Sequence, residues 1–89
     1  MPAFERAELT AELRVIPPQD GSQAPARAAR EAAGETGLAH EAGPEAVILA
    51  GGRREVLAAV TRTVGAALDA GARGVELKVE AEGDAPRFG

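Results

Sequence analysis

The sequence has no cysteine, no tryptophan and no tyrosine, and only one histidine and two phenylalanines in 89 residues. Without cysteine there is no disulfide framework, no thiolate metal site and no cysteine nucleophile. The lone imidazole, His40, has no second histidine or cysteine at a ligand spacing, so no metal site is expected. Scarce aromatics leave little for a base to stack on, and a formal net charge of -4 opposes a phosphate backbone or an anionic membrane. A nucleic-acid or membrane partner is therefore not expected. Long apolar runs are missing too. With Glu5 and Glu8 near the start, the first residues read as neither a signal peptide nor a membrane helix, and the expectation is a cytosolic protein.

What is present is alanine, which supplies much of the 45% hydrophobic content. A chain this short, with small core residues, has a thin core and little surplus stability, so self-association is expected. The clearest pattern comes early. Leu9, Ala11, Leu13 and Val15 alternate with Thr10, Glu12 and Arg14, the period of a strand with one buried face. Pro17 and Pro18 end it, because neither can donate to a ladder. The residues before it, 1–8, read as a loose lead-in.

Ser22 then suits a helix cap and Pro25 falls in the first turn, where a missing N–H costs nothing. Ala24, Ala28 and Ala32, with Ala26, Ala29 and Ala33, offer a small-residue face; Arg27, Arg30, Glu31 and Glu35 mark the wet side. Gly37 is a natural stop. Residues 38–42 and the β-branched run 46–50, separated by Gly43-Pro44, predict two strands. After Gly51-Gly52, the positions Val56, Leu57, Val60, Val64, Ala67 and Leu68 fall at helical spacing and predict a second helix ending at Gly71. Alternation returns at 74–81, with Val75, Leu77 and Val79 on one face and Glu76, Lys78 and Glu80 on the other. Residues 82–89 read as an untethered tail.

The order strand, helix, strand, strand, helix, strand predicts an α+β, ferredoxin-like βαββαβ sandwich, in which a four-stranded antiparallel sheet carries both helices on one face. The domain then spans 9–81. The first and last strands become neighbours, and Glu12 and Arg14 lie beside Glu76, Lys78 and Glu80 on the helix-free face.

Four groups could carry chemistry. The Asp20-Gly21-Ser22 loop can present backbone N–H groups and a hydroxyl at a helix start, or simply cap the helix. His40 can flank a pyrimidine ring, or stand half-exposed on a strand. Arg53 and Arg54 sit at a helix start, where the macrodipole disfavours cations; a phosphate, an acidic side chain or solvent would offset the conflict. Glu12, Glu76 and Glu80 could form an acid–base pair, although the interleaved Arg14 and Lys78 favour a charge ladder. No catalytic motif accompanies any of these, so no enzyme and no cofactor is expected.

The run Ala11-Glu-Leu-Arg-Val-Ile-Pro17, the Gly21-Ser22 turn, Gly37-Leu38, Gly43-Pro44, Gly51 and Gly71-Ala72 together resemble the thiamine-binding family of ferredoxin-like proteins, over residues 9–80. The resemblance implies a cytosolic, non-enzymatic binder of thiamine or its hydroxymethylpyrimidine moiety, assembled as a homodimer or homotetramer through sheet faces and edges. Carried onto this chain, it places ligand contacts at Asp20, Gly21, Ser22, His40 and Val47.

The departures are specific. The family usually continues Ile-Pro with Leu-Gly-Thr-Gly-Ser, where this chain has Pro18-Gln19-Asp20-Gly21-Ser22, so only the Gly-Ser end is kept. Its Pro-Met-Gly-Thr is Pro44-Glu45-Ala46-Val47 here, which removes a hydroxyl. An acidic residue before Gly51 is replaced by Ala50, a His-Glu pair in the second helix by Val64-Gly65, and a closing Asp-Asp-Arg by Glu80-Ala81-Glu82. Those losses motivate the alternative, a structural or regulatory homo-oligomer that has lost its ligand. A polar pocket near Ser22, His40 and Val47 would favour binding, and an alanine-filled interior the alternative.

Overall fold

A computed structural model describes residues 8–43 and 46–81, with backbone alone at 40–42. The elements are β1 (Leu9–Ile16), α1 (Ala24–Thr36), β2 (Ala39–Ala42), β3 (Ala46–Gly51), α2 (Arg53–Asp69) and β4 (Gly74–Ala81). The strands form one antiparallel sheet in the order β2-β3-β1-β4. An α+β fold of two helices on an antiparallel sheet is what the sequence predicts, and the strand order is consistent with the ferredoxin-like plan.

Alternation in β1 does what its period requires. Ala11, Leu13 and Val15 are buried while Glu12 and Arg14 are exposed. The inward row meets residues of both helices: Ala33 of α1 and Val56, Ala59 and Val60 of α2 join Ala11, Leu13, Val47 and Leu49 in one cluster. Both helices therefore cover the same face. Burying each of Leu13, Leu49, Val47 and Val56 contributes about 1.5–3 kcal/mol. A second cluster, of Val15, Ala26, Ala29 and Ala67, lies where β1 leaves the sheet.

Pro25 is buried in the first turn of α1. At the other end, Gly37 takes the left-handed conformation (φ 76°) and its N–H reaches the Gly34 carbonyl at 3.2 Å. The Thr36 hydroxyl donates to the Ala33 carbonyl at 2.6 Å and accepts the Leu38 N–H at 3.1 Å, closing the helix. The small-residue face is narrower than expected: Ala26, Ala29 and Ala33 are buried, whereas Ala24 is exposed.

On the helix-free face the register sets Arg14 opposite Glu76, Glu12 opposite Lys78 and Thr10 opposite Glu80. Arg14 Nε lies 3.9 Å from Glu76, and Lys78 Nζ 3.7 Å from Glu80. These exposed pairs align the strands more than they stabilise them. The opposed charges form the ladder expected of this face.

Two expectations need amendment. Glu8, the last residue of the expected lead-in, donates its N–H to the Gly51 carbonyl at 2.9 Å and accepts the Arg53 N–H on its carboxylate, so the fold begins one residue earlier. Leu57 and Leu68, two of the apolar positions at helical spacing in α2, are 45% and 49% exposed. The stripe contains the doublets 56/57 and 67/68, too wide for one buried face, and Val56 and Ala67 take the inner positions. The rest of the lead-in (1–7), the tail (82–89) and Pro44-Glu45 lie outside the described residues.

Candidate functional site at the loop after β1

Between the Pro17-Pro18 stop and α1 the chain makes a turn held by its own polar groups. The Gly21 N–H donates to the Pro18 carbonyl at 2.9 Å, and Gly21 takes φ 75°, which a residue without Cβ adopts at no steric cost. The Asp20 carboxylate accepts the Ser22 N–H at 2.9 Å, an Asx turn. Ser22 Oγ then accepts the Ala24 N–H at 3.2 Å. The helix cap position is Gln23, with no side-chain cap of its own, so Ser22 ties down the first helical N–H from one residue further out.

The loop thus brings together three of the five predicted ligand residues. Asp20 and Gly21 are exposed and Ser22 is half-buried. Each hydrogen bond spends only part of the capacity of its acceptor: the carboxylate retains its second oxygen, and the hydroxyl retains its donor proton. Chemically, this is an exposed anion beside a hydroxyl, on a turn stiffened by local bonds.

The other two residues lie elsewhere. Val47 pairs with Leu13 and is wholly buried in the core. Its side chain fills the protein interior and offers no surface beside the loop. His40 belongs to β2, where the register shifts between Ala39 and Glu41; these pair with Leu49 and Ile48, level with Ala11 and Glu12 and well back from the end of β1. Its side chain lies outside the described atoms. Beneath the loop, the interior is filled by Val15, Ala26, Ala29 and Ala67.

At the start of α2 the conflict between cations and helix dipole is met by carboxylates of the chain itself. Glu8 Oε1 accepts the Arg53 N–H at 2.8 Å, and the Glu55 carboxylate folds back over Gly52. Both place negative charge at the positive end of the helix. Arg53 and Arg54 remain exposed, with Glu8, Glu55 and Leu57, around an open depression. Of the ways of offsetting the cations, an acidic side chain is supplied here by the chain itself.

No group of three or more His, Asp or Glu residues that could hold a metal occurs among the described residues, and no described helix is long and apolar enough to cross a membrane. Sequence reasoning did not find two features. Glu8 caps a helix 45 residues away, and no local signal marks such a contact. The α2 stripe and the β4 alternation give no sign that Leu57, Leu68, Leu77 and Val79 stand exposed; the last two belong to a strand at the end of the sheet order.

The architecture places the chain among α+β domains with two helices on an antiparallel sheet, a class shared with a solved structure. That structure is a domain of unknown function, DUF77, from Bacillus cereus, with a TM-score of 0.64 and 24% identity over 86% of this chain and 76% of that one. At this identity the likeness is one of fold. No protein-family profile matches the chain, and no curated protein matches it in sequence.

Proposed function

We propose that the chain is a ferredoxin-like, non-enzymatic binding protein for thiamine or its hydroxymethylpyrimidine moiety. The observation that carries this reading is the ordered Asp20–Ser22 turn, which holds an exposed carboxylate beside a half-buried hydroxyl. A carboxylate suits a ligand that brings an exocyclic amine and a ring cation, and the hydroxyl can donate to a ring nitrogen. The resemblance to the thiamine-binding family over residues 9–80 supports the same choice.

Val47 and the absent hydroxyl at its position reduce the polar contacts. A buried ligand group that loses its partner loses about 1–3 kcal/mol, so binding is expected to be weak. Calorimetry with thiamine and with hydroxymethylpyrimidine tests this. Heat from the parent, reduced at least tenfold in affinity by Asp20→Asn or Ser22→Ala, supports the assignment. No heat at millimolar ligand ends it, and equal binding by the variants moves the site away from the loop.

A specific observation favours a second reading, a structural or regulatory homo-oligomer without a ligand. The interior beneath the loop is filled by alanine and valine, and Val47 is wholly enclosed. In that case thermal shifts with both compounds stay at zero while the assembled mass persists.

A further inference from the structure

A groove of about 590 Å³ lies beside the start of β1, lined by Glu8, Leu9, Arg53, Leu57, Val79 and Ala81. Its walls come from the helix-side rows of two paired strands, with Leu9 opposite Ala81 and Ala11 opposite Val79, and from the first turns of α2. Leu57 and Val79 are 45% and 40% exposed there. Leu68, three turns along the same side of α2, and Leu77 on β4 continue this apolar flank. The rim is charged. Arg53 and its neighbour Arg54 are exposed at the positive end of α2, with Glu8 beside them.

Such a groove suits an apolar ring carried on a chain of mixed charge, and the sequence holds one within reach. Beyond Ala81 it continues Glu82-Gly-Asp-Ala-Pro-Arg-Phe88, the stretch that reads as an untethered tail, and Phe88 is one of only two aromatic residues. We propose that this segment folds back over the end of β4 and seats Phe88 in the groove between Leu57 and Val79, as a strap built into the chain. The chain leaves β4 heading away from the groove, so it must reverse, and Gly83-Asp84 is turn chemistry at the place where a reversal is needed. The four residues from Ala85 to Phe88 then span up to about 13 Å. Val79 lies two residues, about 7 Å, back from the end of the strand. Charge agrees with this fit: Glu82 and Asp84 come to Arg53 and Arg54, and Arg87 comes to Glu8.

Phe4 does not suit the same role. It precedes Glu8, whose N–H is turned to the Gly51 carbonyl on the β3 side of β1, whereas the groove opens on the β4 side. The strap lies at the opposite end of β1 from the Asp20–Ser22 loop, so it stands or falls independently of ligand binding there.

The chain has no tryptophan and no tyrosine, so Phe88→Trp is a sole reporter of its own surroundings. In the full chain at low micromolar concentration, its emission lies to the blue of the same variant in urea. Acrylamide quenches it about threefold less than after Leu57→Asp in the same background, the change given by a strap docked in about two-thirds of molecules. Leu57→Asp, at an exposed position, keeps the circular dichroism of the parent and returns the emission to its solvent value. Arg53→Glu combined with Arg54→Glu raises the quenching at low salt; unchanged quenching overturns the charge pairing. Phe4→Trp, made separately, stays solvent-like. Emission of Phe88→Trp that matches free tryptophan in the folded chain overturns the proposal. So does a blue shift that Leu57→Asp leaves in place, which puts the ring elsewhere, or one that fades on dilution, which puts it in a second copy. Protection of Phe4→Trp in place of Phe88→Trp assigns the groove to the first segment and overturns the choice of the tail.

Discussion

Between the sheet and the first half of α2, the branched side chains Leu13, Val47, Leu49 and Val56 fill the core; beneath the loop that follows β1, Val15, Ala26, Ala29 and Ala67 fill it with little more than methyl groups. The first end can be emptied. The second has almost nothing to remove, and helix and sheet must approach closely to exclude water there. Stability at one end comes from side-chain volume, and at the other from backbone proximity. Sensitivity to substitution should therefore run in opposite directions. Thr63 lies on α2 between the two ends, one turn from Val60 and one from Ala67, fully buried and with no hydrogen-bond partner for its hydroxyl.

The largest effect is expected at the branched end. Val60→Asp places an uncompensated carboxylate in that cluster, at a cost comparable with the whole stability of so small a domain. Loss of the cooperative thermal transition is the expected result, and a melt near the parent midpoint would show that the end is wet. Next come two substitutions measured by urea denaturation at one protein concentration. Leu13→Ala should lower stability by about 2–5 kcal/mol through the cavity it leaves. Ala29→Leu should lower it by about 1–3 kcal/mol through overpacking. If Ala29→Leu were neutral or stabilising, the alanine end would contain usable space and the contrast would fail. The smallest effect is at the join: Thr63→Val keeps the shape and removes an unsatisfied hydroxyl, raising stability by about 1 kcal/mol in the same assay. No gain would mean that the hydroxyl finds a partner in solution.

These contrasts also explain which features could be read in advance. β1 was legible because polar and apolar residues alternate without exception from Thr10 to Val15, and the shared charged face of β1 and β4 followed from the matching alternation in β4, while the register itself comes from the structure. β3 hid its faces: its apolar run gives no sign that Val47 and Leu49 point inward, so the contact assigned to Val47 came from family likeness and met a buried side chain. α1 is similar. Six alanines among thirteen residues carry no periodic contrast, and only packing decides that Ala29 is inside and Ala24 outside. The Asp20-Gly21-Ser22 turn was legible from turn chemistry alone. The exposed flank was not, since hydrophobic spacing records which residues share a face and says nothing of whether that face is covered.

The bond between Glu8 and Arg53 bears on how the molecule comes together. Gly52 supplies no side-chain cap, and two arginines stand at the start of α2, so the segment taken alone begins badly as a helix. The missing acceptor arrives from the far end of β1, and it is in place only once Leu9 lies opposite Gly51. Ordering of the first turn of α2 is thereby tied to strand pairing. Such a contact couples local helix formation to long-range topology, and favours all-or-none assembly over a sequence in which the helix forms first and waits for its sheet.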